Sequence, residues 1–473
     1  MLNVFNTIDF REKVNIDVNE VGKRLILEEW EITDQELREQ NRNGQNGYIM
    51  WGKRPFTEKT EYGDITFYRT LFRFYNKDTN KYEFVFLFDK KIGRKKWSRI
   101  SIFIKIAIWK EMDSAKRQRD IKDMFPKLNI SNMSISNINK EVNFDKLFKE
   151  QLKTKTEKIN VQTPYLYAGV DDSFSNLTKY KKIEKNMFRV AYFHTGYDEI
   201  KSTKNKNVLR DKKIFIVMKS VKNKYYLIKK YKKEFLHFLH KNYNIENCKL
   251  TLAGDGATWI QKFANEIGAI YILDEFHLMK ELKTIVPYRR RKLTKNLTDN
   301  EKIRKQIYWD MNKLLKSGDP DEAIKYLKNL IKIKNIKEHP FLKDKKEDIK
   351  KFINYINKRK DGIKVYKEDW YKGSCTESQI SHNVKWLKGY GSKSYSEKVF
   401  KNMIAMKMAK ENGVNLIEFY LNKLNKKLQN EHNYYFKNDA NHLQKEHNYY
   451  FKNNTNHQFL INNHFLQQAQ SFV

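Results

Sequence analysis

Cysteine, long apolar runs and acidic charge are all in short supply in this chain, and each shortage excludes something. The two cysteines, Cys248 and Cys375, can form neither a disulfide framework nor a four-cysteine zinc site, and neither belongs to a CxxC pair. A reducing compartment is expected. No stretch approaches the roughly 18 uncharged apolar residues of a membrane-spanning helix. The opening MLNVFNTIDFREKVNIDVNE breaks its apolar positions with charge too early for a signal peptide. These features lead to the expectation of a soluble, cytoplasmic protein with no membrane partner. Acid is outnumbered: 57 Asp and Glu face 94 Lys and Arg, a formal net charge of +37 over 473 residues. A field of that size attracts polyanions, which makes DNA or RNA the natural partner. Abundant Lys, Asn and Ile also follow from an AT-rich coding sequence, so charge supports nucleic-acid binding without deciding it. Apolar residues at 40% and aromatics at 14% suffice to bury cores in about two to four domains.

Residues 1–50 are expected to be a helical element, running from Lys13 to Glu39 and closing on the Gly-containing break Asn41–Gly47, for packing or oligomerisation. Residues 51–98 read as a small β-hairpin region. Within it DITFYRTLFRFY (64–75) and YEFVFLF (82–88) flank the turn NKDTN (76–80) and interleave basic with aromatic residues. That pattern suits either an aromatic-packed sheet or a nucleic-acid platform, and solvent exposure separates the two. Residues 99–160 read as short helices, from Arg99 to Lys116, from Ala115 to Met124 and from near Ser134. They are compatible with a helix-turn-helix that offers Ser134, Ser136 and Lys140 to DNA, or with a plain helical linker.

Against this basic background stand three acidic islands, YAGVDD (167–172), LAGDG (252–256) and YILDEFH (271–277). Each sets a carboxylate at or just beyond a short apolar run, where a buried strand emerges and holds it rigidly. Strands are expected at Pro164–Val170, Met187–Phe193 and Lys213–Val221, with a short edge at Tyr225–Ile228. Glu234–Asn242 then reads as helix, Cys248–Ala253 as strand, Thr258–Asn265 as helix, Ala269–Leu273 as strand and His277–Leu282 as helix. A strand meander followed by alternating helices and strands predicts an α/β fold with a ribonuclease-H-like mixed sheet core over 161–285. An N-terminal helical DNA-binding region precedes it. Asp171 would end the first strand, and one crossover helix fits between Asp255 and Asp274, so neighbouring strand ends gather these acids. Ionised carboxylates at that spacing repel, and one or two divalent ions would relieve them and support phosphodiester chemistry. His277, three residues beyond Asp274, either positions a scissile phosphate or water or caps its helix. Trp259 either stacks on a base or packs in the core. The glycines around Asp255 lack the full dinucleotide-binding fingerprint, which excludes a Rossmann reading.

Residues 286–365 read as a basic all-helical insertion, in which Arg289, Arg290, Arg291 and Lys292 would neutralise phosphates. Residues 366–412 would complete the core and carry a final acid, for which Glu377, Glu397 and Glu411 all hold plausible helical positions. Residues 413–473 form a polar-aromatic tail with a duplication, LQNEHNYYFKN (428–438) and LQKEHNYYFKN (443–453), to which no catalysis is assigned.

The stretches TEYGDITF (60–67), YEFVFLFD (82–89) and NISNMSIS (129–136), in order with the three acidic islands, carry a resemblance. The chain resembles the ISLre2-type transposases, also catalogued as UPF0236, and more broadly transposases with a ribonuclease-H-like core, over residues 55 to 410. The resemblance implies catalytic and metal-binding roles for Asp171, Asp255 and Glu377, the last within GSCTES (373–378). It also implies an additional Asp-x-x-His feature at Asp274 and His277. The implied cofactor is Mg2+, with Mn2+ as a substitute. The implied partners are double-stranded DNA at element ends and target DNA, bound by a homo-oligomer at the nucleoid. Competing readings are a metal-dependent nuclease without strand transfer and a catalytically inactive DNA-binding or viral accessory protein.

Overall fold

The computed structural model describes residues 4–427 except 77–78, 95–97, 115, 117, 126–127, 129, 155–156, 204–206, 222–223, 287–297, 333–340 and 390–394. The basic run Arg289–Lys292 and the duplicated segments 428–438 and 443–453 of the tail lie outside the described residues. The chain is a mixed α/β protein in two compact units. One is Met1–Lys105 with Phe125–Asn129 and Glu418–Val473, and the other is Ile106–Met124 with Ile130–Ile417. No helix among the described residues is long and apolar enough to cross a membrane.

In the first unit a helix, Val4–Gln40, accompanies a three-stranded antiparallel sheet of β1 (Tyr48–Thr60), β2 (Gly63–Asn76) and β3 (Lys81–Val85) in that order. Alternation along β2 sends Phe67 inward onto Phe56, its partner across the ladder, and both pack with Phe88, Trp30 and Leu37. Buried Asp34 ties the helix to β2, accepting hydrogen bonds from Thr70 N at 2.9 Å and Thr70 Oγ1 at 2.8 Å. Two expectations change here. The strand expected over 82–88 stops at Val85, because Leu87–Lys91 turns into a short helix that buries Phe88. Strand β1 was not expected, since Gly52 and Pro55 disguise it. It lies at the sheet edge, where a proline forfeits no ladder hydrogen bond, and Gly52 follows a bulge.

The second unit is built on a five-stranded sheet. Its strands are β5 (Tyr165–Lys179), β6 (Lys182–His194), β7 (Lys213–Ser220), β9 (Lys249–Gly254) and β10 (Ile270–Leu273), in the order β10-β9-β5-β6-β7. β5, β6 and β7 run antiparallel as a meander, whereas β9 pairs parallel with both β5 and β10. A separate two-residue pair joins β4 (Ile159–Asn160) to β8 (Tyr243–Asn244). The edge strand expected at Tyr225–Ile228 belongs instead to the helix Lys224–Asn242. The apolar residues beyond it, Tyr231, Phe235, Phe238 and Leu239, are all buried and recur at helical spacing, so the longer period overrides the local apolar run. The crossover helix Thr258–Glu266 joins β9 to β10, and the helix Glu275–Ile285 follows β10. Helices Asp299–Lys316, Pro320–Leu330 and Phe341–Asn357 make up most of the described part of 286–365. The first opens with a capping box between Thr298 and Glu301, and the second opens with Pro320 in its first turn, where the missing N–H costs nothing. The long helix Glu397–Glu411 packs against β7 and the helices Asn132–Glu141 and Phe144–Gln151. Its buried Asn402 accepts from Phe144 N and donates to the carbonyls of Asn139 and Val142, which satisfies the connection between those two helices.

Candidate metal centre

Three strands reach the same level. Val170 pairs with Gly254, and Gly254 pairs with Leu273. The next residue on each strand is an aspartate, so Asp274, Asp255 and Asp171 line up along one edge of adjacent strands. Asp171 does not terminate its strand as expected. β5 continues to Lys179 against β6, and only its parallel neighbour stops, which exposes the flank of Asp171 while its backbone stays held, opposite Val190.

Strand alternation decides what each side of β5 does. Tyr165, Tyr167, Gly169 and Asp171 share one face. The segment returning from the helical insertion lies across that face, with Trp370 stacked on Tyr165 at 4.5 Å and its carbonyl accepting from Tyr167 Oη at 2.8 Å. Further along, Tyr192 covers Gly169, its cross-strand partner. A Cβ on Gly169 would meet the Tyr192 ring at 2.3 Å, so glycine is required there. The Tyr192 hydroxyl then accepts from Cys375 N at 3.2 Å and lies 3.2 Å from Thr376 Oγ1. These contacts dock the short helix Thr376–Ile380 and deliver Glu377 to Asp171. Ligand atoms of Asp171, His277 and Glu377 all lie within 4.8 Å of one another. Asp171 is 7% exposed, and the other two are half-buried.

The opposite face of β5 carries Asp172, which accepts a bidentate pair from Arg189 at 2.8 and 2.8 Å. The Arg189 guanidinium sits 3.4 Å from the centroid of the Trp259 ring, and Trp259 also contacts Tyr231 and Phe263. One face of Trp259 is therefore taken by Arg189.

Asp274 and His277 act as a unit. Asp274, 2% exposed, caps the helix Glu275–Ile285 by accepting from Phe276 N through Oδ1 at 3.0 Å, and its Oδ2 holds His277 Nδ1 at 3.2 Å. With both oxygens occupied locally, Asp274 orients the imidazole and leaves Nε2 as the nitrogen free to ligate, the usual arrangement behind a metal-binding histidine. Asp274 is the cap of that helix, and His277 lies in the cluster with Asp171 and Glu377. Asp255 accepts from Ala257 N at 2.9 Å. Gly256, at φ +85°, makes room for Tyr355 and Arg359, and Arg359 Nε donates to its carbonyl at 2.7 Å, clamping the turn.

The electrostatics follow from this crowding. Burial, reinforced by the charge of Asp255, pushes the Asp171 carboxyl up to about 7. The hydrogen bond it donates to Asp274, with the charges of Asp274, Asp171 and Asp255, raises the His277 imidazole above its usual value against the opposing effect of its own burial. Glu377 pairs with Lys385 at 2.6 Å. Two carboxylates and an imidazole within one small volume form a donor set that can coordinate a divalent metal ion, whose charge would offset the repulsion that disfavours the ionised cluster.

Of the three candidate final acids, Glu377 alone is brought to Asp171 and His277. Glu397 pairs with Lys179 and Lys401, and Glu411 with Lys212 and Lys407. Ser134, Ser136 and Lys140 lie half-buried on the helix Asn132–Glu141, whose Ile135 and Ile138 face the core. Ser131 caps that helix by accepting from Ser134 N. Sequence reasoning missed Gly169, Tyr192 and Thr376 as the supports of Glu377. The available signal was the two-residue period of YAGVDD, which places Gly169 beside Asp171 and parts Asp171 from Asp172.

Fold and cluster together define a mixed α/β protein with a candidate metal centre at the edge of its central sheet. The chain belongs to UPF0236, described as an uncharacterised protein family, whose profile matches residues 1–424. Relatives in Caldanaerobacter subterraneus subsp. tengcongensis bear the family name. UPF0236 protein TTE0033/TTE0744/TTE0838/TTE0852/TTE1082/TTE1247/TTE1519/TTE1678/TTE1739/TTE1823/TTE2212 is 25% identical over 433 residues, covering 88% of this chain and 82% of the relative. UPF0236 protein TTE0610/TTE0881/TTE1053/TTE2432 is 25% identical over 406 residues, covering 85% and 77%.

Proposed function

We propose that this protein is an ISLre2-type transposase that binds the ends of an insertion-sequence element and catalyses DNA cleavage and strand transfer at a DDE-type carboxylate site. The observation that carries this reading is the convergence of Asp171 with Glu377, acids more than 200 residues apart in the chain, beside Asp255 at the same level of the next strand. The sheet supports a ribonuclease-H-like core: a three-stranded antiparallel meander followed by two parallel strands on the far side of the first. The names of the two relatives above support a mobile element, since these two each join several locus designations within one strain.

In this reading Asp171, Asp255 and Glu377 would hold Mg2+, or Mn2+ in its place, with His277 a further donor oriented by Asp274. When bound, the ion would supply Lewis-acid activation of the attacking hydroxyl and charge for the leaving oxygen. The chain's own residues do the rest: the sheet fixes the acids, Tyr192 holds the helix that carries Glu377, and basic residues including Arg289, Arg290, Arg291 and Lys292 bind phosphates of duplex DNA. A homo-oligomer is part of the proposal. Val14, Val18, Val21 and Leu25 are exposed along the helix Val4–Gln40 at the 3-and-4 spacing of a coiled-coil seam, with exposed Ile32 seven residues on, and Leu25→Glu should lower the mass measured by light scattering.

The test is a Mg2+-dependent cleavage and joining assay on DNA from both flanks of the encoding element, with Asp255→Asn as the matched control. Joined products formed by the native chain and lost in the variant support the transposase. Cleavage without joining would indicate a nuclease, and end-specific binding with no cleavage an inactive DNA-binding descendant.

A further inference from the structure

The three-stranded sheet of the first unit carries aromatic residues in two settings. Phe56, Phe67 and Phe88 form its core. Beyond that core, where β2 pairs with β3, Trp51, Tyr75, Tyr82 and Phe84 form a second cluster whose members are each 48–59% exposed.

This second cluster is an organised surface. Register pairs Arg73 with Phe84 and Tyr75 with Tyr82 across the ladder, so all four share one face. The bulge between Met50 and Gly52 adds Trp51 to them. Trp51 and Phe84 meet at 5.6 Å, and Tyr75 and Tyr82 at 5.3 Å. Arg73 lies between the two pairs, its guanidinium carbon 4.6 Å from the Trp51 centroid and 4.7 Å from that of Tyr82. Its Nε is buried among the rings without a hydrogen-bond acceptor. Exposed Arg54, whose ladder partner is Arg69, stands on the same face as Arg73.

We propose that this face binds single-stranded DNA by stacking unpaired bases on Trp51, Phe84, Tyr75 and Tyr82 while Arg73 and Arg54 follow the backbone. Large rings left half in water are costly unless a partner covers them. Rings interleaved with cationic side chains on a sheet match flat bases joined by phosphates, and a chain of net charge +37 attracts that polyanion. The bases of a duplex are already stacked on one another, so this face selects unpaired strands. The inference rests on the polynucleotide part of the function proposed above and not on the carboxylates.

The experiment is fluorescence anisotropy of the full-length chain in EDTA with a labelled oligo-dT, in competition with unlabelled duplex of the same length. Trp51→Ala and Tyr82→Ala should each weaken oligo-dT binding about tenfold, while Trp51→Phe, which keeps a ring, retains most of it. Tyr68→Ala removes an aromatic that is 59% exposed on the opposite face of β2 and should change nothing. Unaltered oligo-dT affinity in Trp51→Ala overturns the proposal, as does duplex competing on equal terms. Loss of self-association in Trp51→Ala without any oligo-dT binding also overturns it and marks the patch as a protein interface. Asp255→Asn should bind oligo-dT like the native chain, so failure of the cleavage assay and failure of this surface are read separately.

Discussion

Replacing Asp171 by Asn should stabilise the metal-free protein, and by an amount that depends on pH. The carboxyl is carried from 3.8 in the unfolded chain to about 7 in the folded one, by burial first and by the charge of Asp255 second. Because the folded value is the higher, folding takes up a proton between the two. Stability therefore falls as pH rises from about 4 to about 7 and stays low above that. At 1.36 kcal/mol per pH unit the displacement corresponds to about 4 kcal/mol at pH 8. Asparagine keeps an oxygen to accept the Asp172 N–H, which Asp171 accepts at 2.6 Å, and carries no charge to bury. The native chain and the variant should thus be nearly equal at pH 4 and diverge to about 2–4 kcal/mol in favour of the variant at pH 8. Urea denaturation in EDTA at pH 4, 6 and 8 measures the gap. Adding Mn2+ at pH 8 should then raise the native chain more than the variant, since an ion that binds only the folded state adds its binding energy. A variant no more stable than the native chain at pH 8, or a gap that ignores pH, refutes burial of an unrelieved charge at Asp171.

Asp274→Asn should leave the helix cap almost intact, because Asn caps as well as Asp. It should nonetheless lower Mn2+ affinity by about 10–100-fold through the loss of the group that orients His277, and calorimetric titration checks it. Gly169→Ala forces a methyl to 2.3 Å from the buried Tyr192 ring, which should cost about 1–3 kcal/mol of stability. It should also weaken metal binding by displacing the helix that carries Glu377; denaturation and Mn2+ titration together would refute this if neither moved.

Much of the second unit was legible because its strands are apolar runs with clear ends. Met187–Phe193, Lys213–Val221 and Cys248–Ala253 each fall on an observed strand within a few residues. The misreadings share a cause, in that a local run was taken without the contacts that extend or cut it. β5 runs eight residues past Asp171 because β6 offers it a ladder to Lys179. Tyr225–Ile228 is helical because residues two turns on find a buried surface. The three aspartates were visible one by one, but their common level depends on the pairing of Val170, Gly254 and Leu273.

By itself the sequence determined the chemistry available: a basic chain, acids at the ends of apolar runs, and a histidine one helical turn from an aspartate. These are properties of residue type and short spacing, governed by local periodicity. Only the tertiary structure decided which of Glu377, Glu397 and Glu411 meets Asp171, which oxygen of Asp274 faces the histidine, and which aromatic residues of the small sheet are left in water. Such choices depend on contacts between residues far apart in the chain. The first of them turns on the absence of a side chain at Gly169, which lets Tyr192 close over the strand and bring Glu377 to Asp171.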